Sequence, residues 1–292
     1  MKAMTTRVVC WNINTRLAAW DQLLQMDADI ALLQEVGNGL AKRITGVYTG
    51  SREHWDSHVW NSCWYKDRWP RLFDRWSMVV RLSDRVKVEW FKQVFPISET
   101  REDEIAVSGI GTIAASRIIP RESEPFIAVS MYARWKDPHP SVRSNLIYSD
   151  GSAHRIISDL SAFIGSMDPS THRILVAGDL NICFGTRDDF GDGFGVRERT
   201  VWDRMAAIDL EFLGPQYPNG RKAVPTPSYL PPDSKNVPTY HSQKQSPLTA
   251  ENQLDYAFAS RGFHEFISVR ALNEVDCWGP SDHCRLLIEI DG

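Results

Sequence analysis

The sequence predicts an α/β protein built as layers on mixed β-sheets. Short apolar, β-branched runs recur along the chain, amphipathic stretches with helical spacing separate several of them, and no internal repeat or low-complexity tail interrupts the series. At 292 residues the chain can form one large α/β domain with a sizeable core, or two smaller ones. The expectation adopted here is a single domain over residues 1–292.

Taken in order, residues 7–13 (RVVCWNI) read as a strand. Residues 15–26 carry Leu17, Trp20 and Leu24 at helical spacing, with Thr15 as a plausible cap. Residues 29–34 (DIALLQ) read as a buried strand, and 78–82, 86–91, 108–116 and 126–133 as further strands. Ala153, Ile156, Ile157, Leu160, Phe163 and Ile164 share one face of a helix over 153–164. A buried strand at 173–180 and a helix at 197–209 follow, then strands at 254–260, 266–272 and 284–290.

Two regions break this pattern. Residues 214–253 hold 8 of the chain's 16 prolines and little periodicity, which marks a functional or disordered loop. Residues 52–76 hold five tryptophans (55, 60, 64, 69 and 76) among Arg52, His54, His58, Lys66, Arg68, Arg71 and Arg75. Such a stretch can stack and neutralise a nucleic acid. Packing of the tryptophans at the core edge is the favoured interpretation, because Trp is rich in burial area and the segment has no clean period.

Composition narrows the function classes. The net charge of −4 and a pI near 6.1 provide no global basic field for a polyanion, although a local patch with bound cations can still neutralise a few phosphates. No apolar run approaches the roughly 20 residues that a membrane helix needs, and the N-terminus enters a strand pattern without a signal-peptide core. No membrane association is expected. The five cysteines are scattered and odd in number, so they read as core residues in a reducing compartment, and a cytoplasmic location is the expectation.

Chemistry-bearing side chains cluster at one kind of place, the last residues of an apolar strand. Asn12 and Glu35 end the first two strands; singly, the one could be a turn starter and the other an exposed carboxylate. Asp179 and Asn181 in GDLN lie two apart and point to one side of an extended strand end, an acid beside an amide. That pair suits water attack at phosphorus. Asp282 and His283 precede the last strand. Asp255 is an acid in an apolar strand and requires a partner, for which His283 is the candidate. Hard oxygen donors with open positions suit Mg²⁺ or Mn²⁺. No phosphate-loop, GxSxG, GxGxxG or zinc-spaced Cys/His motif is present.

In their order, CWNIN (10–14), LLQEV (32–36), SMYA (130–133), GDLN (178–181), QLDYAFAS (253–260) and GPSDHCRLL (279–287) resemble the endonuclease/exonuclease/phosphatase superfamily. The resemblance spans nearly the whole chain and implies a four-layer α/β sandwich, two packed mixed β-sheets flanked by helices. It implies a metal held by Glu35 with Asn12, Asn14 and Asp282 close by. Asp179 would orient or deprotonate the attacking water, Asn181 would hold a phosphate oxygen, and Tyr132 would contact the phosphate or position the nucleophile. His283, kept cationic by Asp255, would stabilise the transition state.

Tyr132 stands where the exonuclease III-like branch has tyrosine and the deoxyribonuclease I, inositol phosphatase and sphingomyelinase branches have histidine, so a nuclease acting on DNA or RNA is expected. Arg134 replaces a familiar phosphate contact, Thr15 stands in place of a common glycine, and Asn252-Gln253 replaces an apolar wall to which Tyr240 could supply the aromatic member. These departures argue against cleavage specific to abasic sites. The rival expectations are an enzyme for a small or lipid phosphate ester and a catalytically silent member that binds a partner. No protein partner is indicated.

Overall fold

A computed structural model describes residues 5–37, 46–55, 76–94, 99–108, 113–133, 149–165, 168–191 and 193–292. Its strands are β1 (Thr6–Asn12), β2 (Ile30–Val36), β3 (Trp76–Arg81), β4 (Val86–Trp90), β5 (Lys92–Val94), β6 (Glu104–Ala106), β7 (Ile113–Pro120), β8 (Phe126–Tyr132), β9 (Ile174–Asp179), β10 (Leu210–Gly214), β11 (Asp255–Ser260), β12 (Ile267–Leu272) and β13 (Arg285–Ile290). The α-helices among the described residues are α1 (Leu17–Leu24), α2 (Ser149–Ile164) and α3 (Phe194–Ala207).

Two mixed sheets organise these elements. The first has strand order β12-β13-β1-β2-β3 and the second β10-β11-β9-β8-β7-β4, with β5 and β6 forming a small parallel pair. Strand alternation assigns each face. Val8, Cys10, Ile30 and Leu32 of the first sheet meet Ala128, Leu175, Ala177 and Ala257 of the second in the core between them. The intervening residues Val9, Trp11, Ala31 and Leu33 turn outward onto Ala19, Trp20 and Leu23 of α1. On the far side, Val129, Met131, Val176, Tyr256 and Phe258 pack against Ile156, Leu160, Val201 and Met205 of α2 and α3. The result is the α/β/β/α sandwich expected from the sequence.

Both sheets deliver their functional strand ends to one edge. β1 runs parallel to β2 and antiparallel to β13; β9 runs parallel to β8 and antiparallel to β11. The ends of β1, β2, β8 and β9 therefore lie beside the starts of β11 and β13. Gly178 is required where β8 and β9 come together, because a Cβ there would sit 1.8 Å from the Met131 carbonyl oxygen.

Several local expectations are corrected. Thr15 does not cap α1: it adopts a left-handed conformation (φ 55°) and its amide donates to the Glu35 carbonyl, so the helix starts after Arg16. The strand anticipated over 108–116 begins at Ile113, with 109–112 outside the described residues. Strand β10 and the β5/β6 pair were not anticipated. In the Trp-rich stretch, Trp55 and Trp76 are buried and pack with ring centroids 5.0 Å apart, while Trp60, Trp64 and Trp69 lie outside the described residues. Among the described residues no helix is long and apolar enough to cross a membrane.

Candidate active site

Strand register builds the site one row at a time. In the second sheet Tyr132 pairs with Asp179 and Asp179 with Asp255, so three functional residues lie side by side across β8, β9 and β11. In the first sheet Asn12 pairs with Gln34, beside Glu35. The turn before β13 brings Asp282 and His283 to the same edge: the Trp11 indole donates to the His283 carbonyl at 2.8 Å, and Ser281 Oγ donates to the Asn12 carbonyl at 2.6 Å.

At the centre His283 is bonded through Nδ1 to Asp255 Oδ2 at 2.8 Å, and its Nε2 lies 3.8 Å from Asp179 Oδ2. Asn12 Nδ2 donates to Asp179 Oδ2 at 2.9 Å. The Asn181 amide N–H donates to Asp179 Oδ1 at 2.8 Å, and its side chain donates to Asp179 Oδ2 at 3.0 Å and to the Ala133 carbonyl at 2.8 Å. Asn12, Asp179, Asp255 and His283 are all buried. Burial by itself would lower the His283 pKa, but the charges of Asp255 and Asp179 outweigh it and raise the imidazole to about 10. Burial pushes the Asp179 carboxyl up to about 8, with the His283 charge opposing the shift and Asp255 adding to it. The acidic neighbours thus favour the charged form of His283.

A second group lies alongside. The Tyr132 hydroxyl donates to Glu35 Oε1 at 2.9 Å, and Asn14 Nδ2 donates to Asp282 Oδ2 at 2.9 Å. The Asn14 amide donates to Asn12 Oδ1 at 3.0 Å, which joins the two groups. Glu35, Asn14 and Asn181 all have left-handed backbones (φ 53°, 43° and 51°), a concentration of strain typical of functional sites.

The Pro-rich stretch 214–253 closes the site as an ordered wall. Val237 and Ala250 are buried in the inter-sheet core. Thr239 takes the amides of Leu254 and Asp255 on its hydroxyl (2.9 and 3.1 Å) and the Cys284 amide on its carbonyl (2.8 Å), tying β11 to the turn before β13. Tyr240 bridges Asn252 and His283, and its ring lies 5.0 Å from the His283 ring. Burial, then the charges of Asp282, Asp179 and Glu35, raise the Tyr240 phenol pKa.

The structure therefore gathers Asn12, Asn14, Glu35, Tyr132, Asp179, Asn181, Tyr240, Asp255, Asp282 and His283 at one edge. Arg134 lies outside the described residues. Sequence reasoning missed Thr239 and Ser281, whose signals were weak: a lone Thr in a proline-rich loop and a Ser inside the SDH motif.

For a divalent ion, the donors present are carboxylate and amide oxygens, which is the set hard cations take. Asp179, Asp255 and His283 have atoms within 4.8 Å of one another, but they are bonded to each other and include an imidazole. That trio fits proton handling better than Mg²⁺ or Mn²⁺ ligation. Glu35, Asp282 and the amide oxygens of Asn12 and Asn14 are the better match to such an ion.

Acids and a histidine gathered at the strand ends of a mixed-sheet sandwich make a candidate site for proton-transfer chemistry. The sequence model of the Endonuclease/Exonuclease/phosphatase family matches residues 9–283, and the chain belongs to that family. Its members are hydrolases of phosphoester bonds that typically use divalent metals. No curated protein sequence matches the chain. Among solved structures, the AP endonuclease of Leishmania major is similar at 14% identity and TM-score 0.64, covering 99% of this chain and 88% of that one. The endonuclease domain of TRAS1, a telomere-specific non-LTR retrotransposon, matches at 15% identity and TM-score 0.59, covering 99% of both. The 3′-5′ exonuclease of Neisseria meningitidis matches at 14% identity and TM-score 0.57, covering 98% of this chain and all of that one. These likenesses establish the shared fold.

Proposed function

We propose that this chain is a Mg²⁺- or Mn²⁺-dependent phosphodiesterase, a nuclease of the exonuclease III-like branch that hydrolyses DNA or RNA by in-line attack of water. Residues 1–292 would act as one catalytic domain. The observation that carries this reading is the buried Asp255–His283–Asp179 group, with Nδ1 of the imidazole 2.8 Å from Asp255 and Nε2 facing Asp179. Tyr132 supports the branch, and the neighbouring structures described as nucleases support the substrate class.

In this scheme Asp255 fixes the His283 ring and holds it cationic, so Nε2–H donates to a phosphate oxygen as charge builds on it. Asp179 orients the water and accepts its proton, while Asn12 and Asn181 hold the carboxylate. Asn181, now donating to Asp179 and Ala133, shares this orienting duty with the phosphate contact its motif implies. Tyr132 orients Glu35. Tyr240 would line the substrate path, and Arg134, outside the described residues, keeps the substrate-contact role its motif implies. Glu35, with Asn12, Asn14 and Asp282 close by, would hold the divalent ion, which supplies Lewis-acid polarisation of the phosphate and a template for it. Asp179 would act in its ionised form, which the bonds from Asn12 and the Asn181 amide favour.

The test is a substrate panel with Mg²⁺ and Mn²⁺: single- and double-stranded DNA, abasic duplex, RNA and bis-p-nitrophenyl phosphate. His283→Ala and Asp179→Asn are each expected to cut turnover by on the order of 10²–10³. Losses under tenfold in both would show that the site is assigned wrongly. Cleavage of small esters alone would replace the nuclease with an enzyme for a small or lipid phosphate ester. No hydrolysis of any substrate would leave the silent binding member.

A further inference from the structure

Glu35 faces the site only because β2 breaks its alternation. Ala31, Leu33 and Val36 all point to the outer core with α1. The step from Leu33 to Val36 is three residues rather than two, and the β2–β3 register shifts between them. This is a β-bulge in which Gln34 and Glu35 together occupy one outward-to-outward interval, with Glu35 at φ 53°. A regular strand would keep Glu35 on the outer face, away from Tyr132.

A polar bridge across the apolar inter-sheet core coincides with that bulge. Ser130 of β8 donates its hydroxyl to the Leu33 carbonyl at 2.8 Å. Gln34 Nε2 donates back to Ser130 Oγ at 2.9 Å and to the Leu32 carbonyl at 3.1 Å. Both residues are fully buried. Burying an amide and a hydroxyl is unfavourable unless they are satisfied, and here they satisfy each other and a backbone carbonyl at the bulge. Ser130 stands two residues before Tyr132 on the same face of β8, and Gln34 immediately precedes Glu35. The bridge therefore sets the distance between the two side chains that meet at 2.9 Å in the site.

We propose that Gln34 and Ser130 are positioning residues: their inter-sheet bridge holds the β2 bulge and thereby aims Glu35 at the divalent ion and at Tyr132. The proposal rests on the functional reading above, in which Glu35 holds the ion. Ser130→Ala and Gln34→Met are expected to weaken Mn²⁺ binding, measured by isothermal titration calorimetry, about tenfold each, as loss of a buried hydrogen bond allows. kcat on bis-p-nitrophenyl phosphate should fall in parallel with little change in KM for the ester. Ser130→Thr, which keeps the hydroxyl, should restore both.

Ile118→Val, in the same core but near the opposite edge, controls for lost packing. It should lower the melting temperature and leave Mn²⁺ affinity alone. The proposal is overturned if whichever of the two variants folds melts lower yet binds Mn²⁺ and turns over like the parent. If the parent protein itself neither binds Mn²⁺ nor hydrolyses the ester, the functional reading fails and the positioning role falls with it.

Discussion

Replacing Asp255 with Asn keeps the shape of the His283 contact and removes its charge, so it isolates what the carboxylate does. The chain carries its own reference. His54 is also buried, bonded to the Phe91 carbonyl and the Val79 amide, and burial lowers its pKa to about 4. His283, equally buried but beside Asp255 and Asp179, stands at about 10. The two differ by about six units: acidic neighbours raise His283, whereas burial dominates at His54. One opposite charge in contact is worth roughly 1–3 units, so Asp255→Asn should bring His283 down to about 8. At pH 9 the imidazolium fraction would then fall from about 0.9 to about 0.1, while at pH 7 it stays at about 0.9 or above in both proteins. The expected loss of kcat is therefore about tenfold larger at pH 9 than at pH 7. A pH–rate profile measures it, and the ring Cε1–H proton resonance, assigned by its absence in His283→Ala, gives the midpoint directly. A loss independent of pH, or an unmoved midpoint, would refute the account of His283 as a carboxylate-held cation.

Two further outcomes concern the frame. His54 is folded at about 4 against 6.5 unfolded, so its neutral form contributes stability above pH 6.5 that is lost as pH falls toward 4. The 2.5-unit gap amounts to about 3 kcal/mol, and denaturant unfolding of His54→Gln should show a pH dependence flatter by up to that amount; parallel curves would exclude it. Gly178→Ala drives a methyl into the Met131 carbonyl oxygen, 1.8 Å away. Separation of β8 and β9 should cost about 3 kcal/mol or more, and a variant melting within a degree or two of the parent would contradict the close approach.

The strand ends were legible because their signal is local: an apolar run that finishes on Asn, Glu, Tyr or Asp reads the same in sequence and in space. The partnership of Asp255 with His283 could be anticipated because a carboxylate inside an apolar strand requires a counter-charge. The bulge in β2 was less legible, since Gln34 and Glu35 look like an ordinary polar strand end until Leu33 and Val36 are seen to share a face. Thr239 was hidden for a different reason. Its contacts depend on how a proline-rich segment without periodicity crosses the site, and no local pattern encodes that path. Thr15 misled because a Thr before an amphipathic run resembles a cap, whereas tertiary contact with Glu35 decides its conformation.

The wall formed by residues 214–253 divides into unequal parts. Thr239 stitches the second sheet, through Leu254 and Asp255, to the first, through Cys284. Asp255 and His283 belong to those two sides, and this stitch joins the backbones beside them in addition to the His283–Asp255 and Asn12–Asp179 bonds. Residues well upstream of it, such as Val224 and Tyr217, are exposed. A lineage could therefore exchange the outer part of the loop, and with it what lies beside the site, while Asp255 and His283 stay in register.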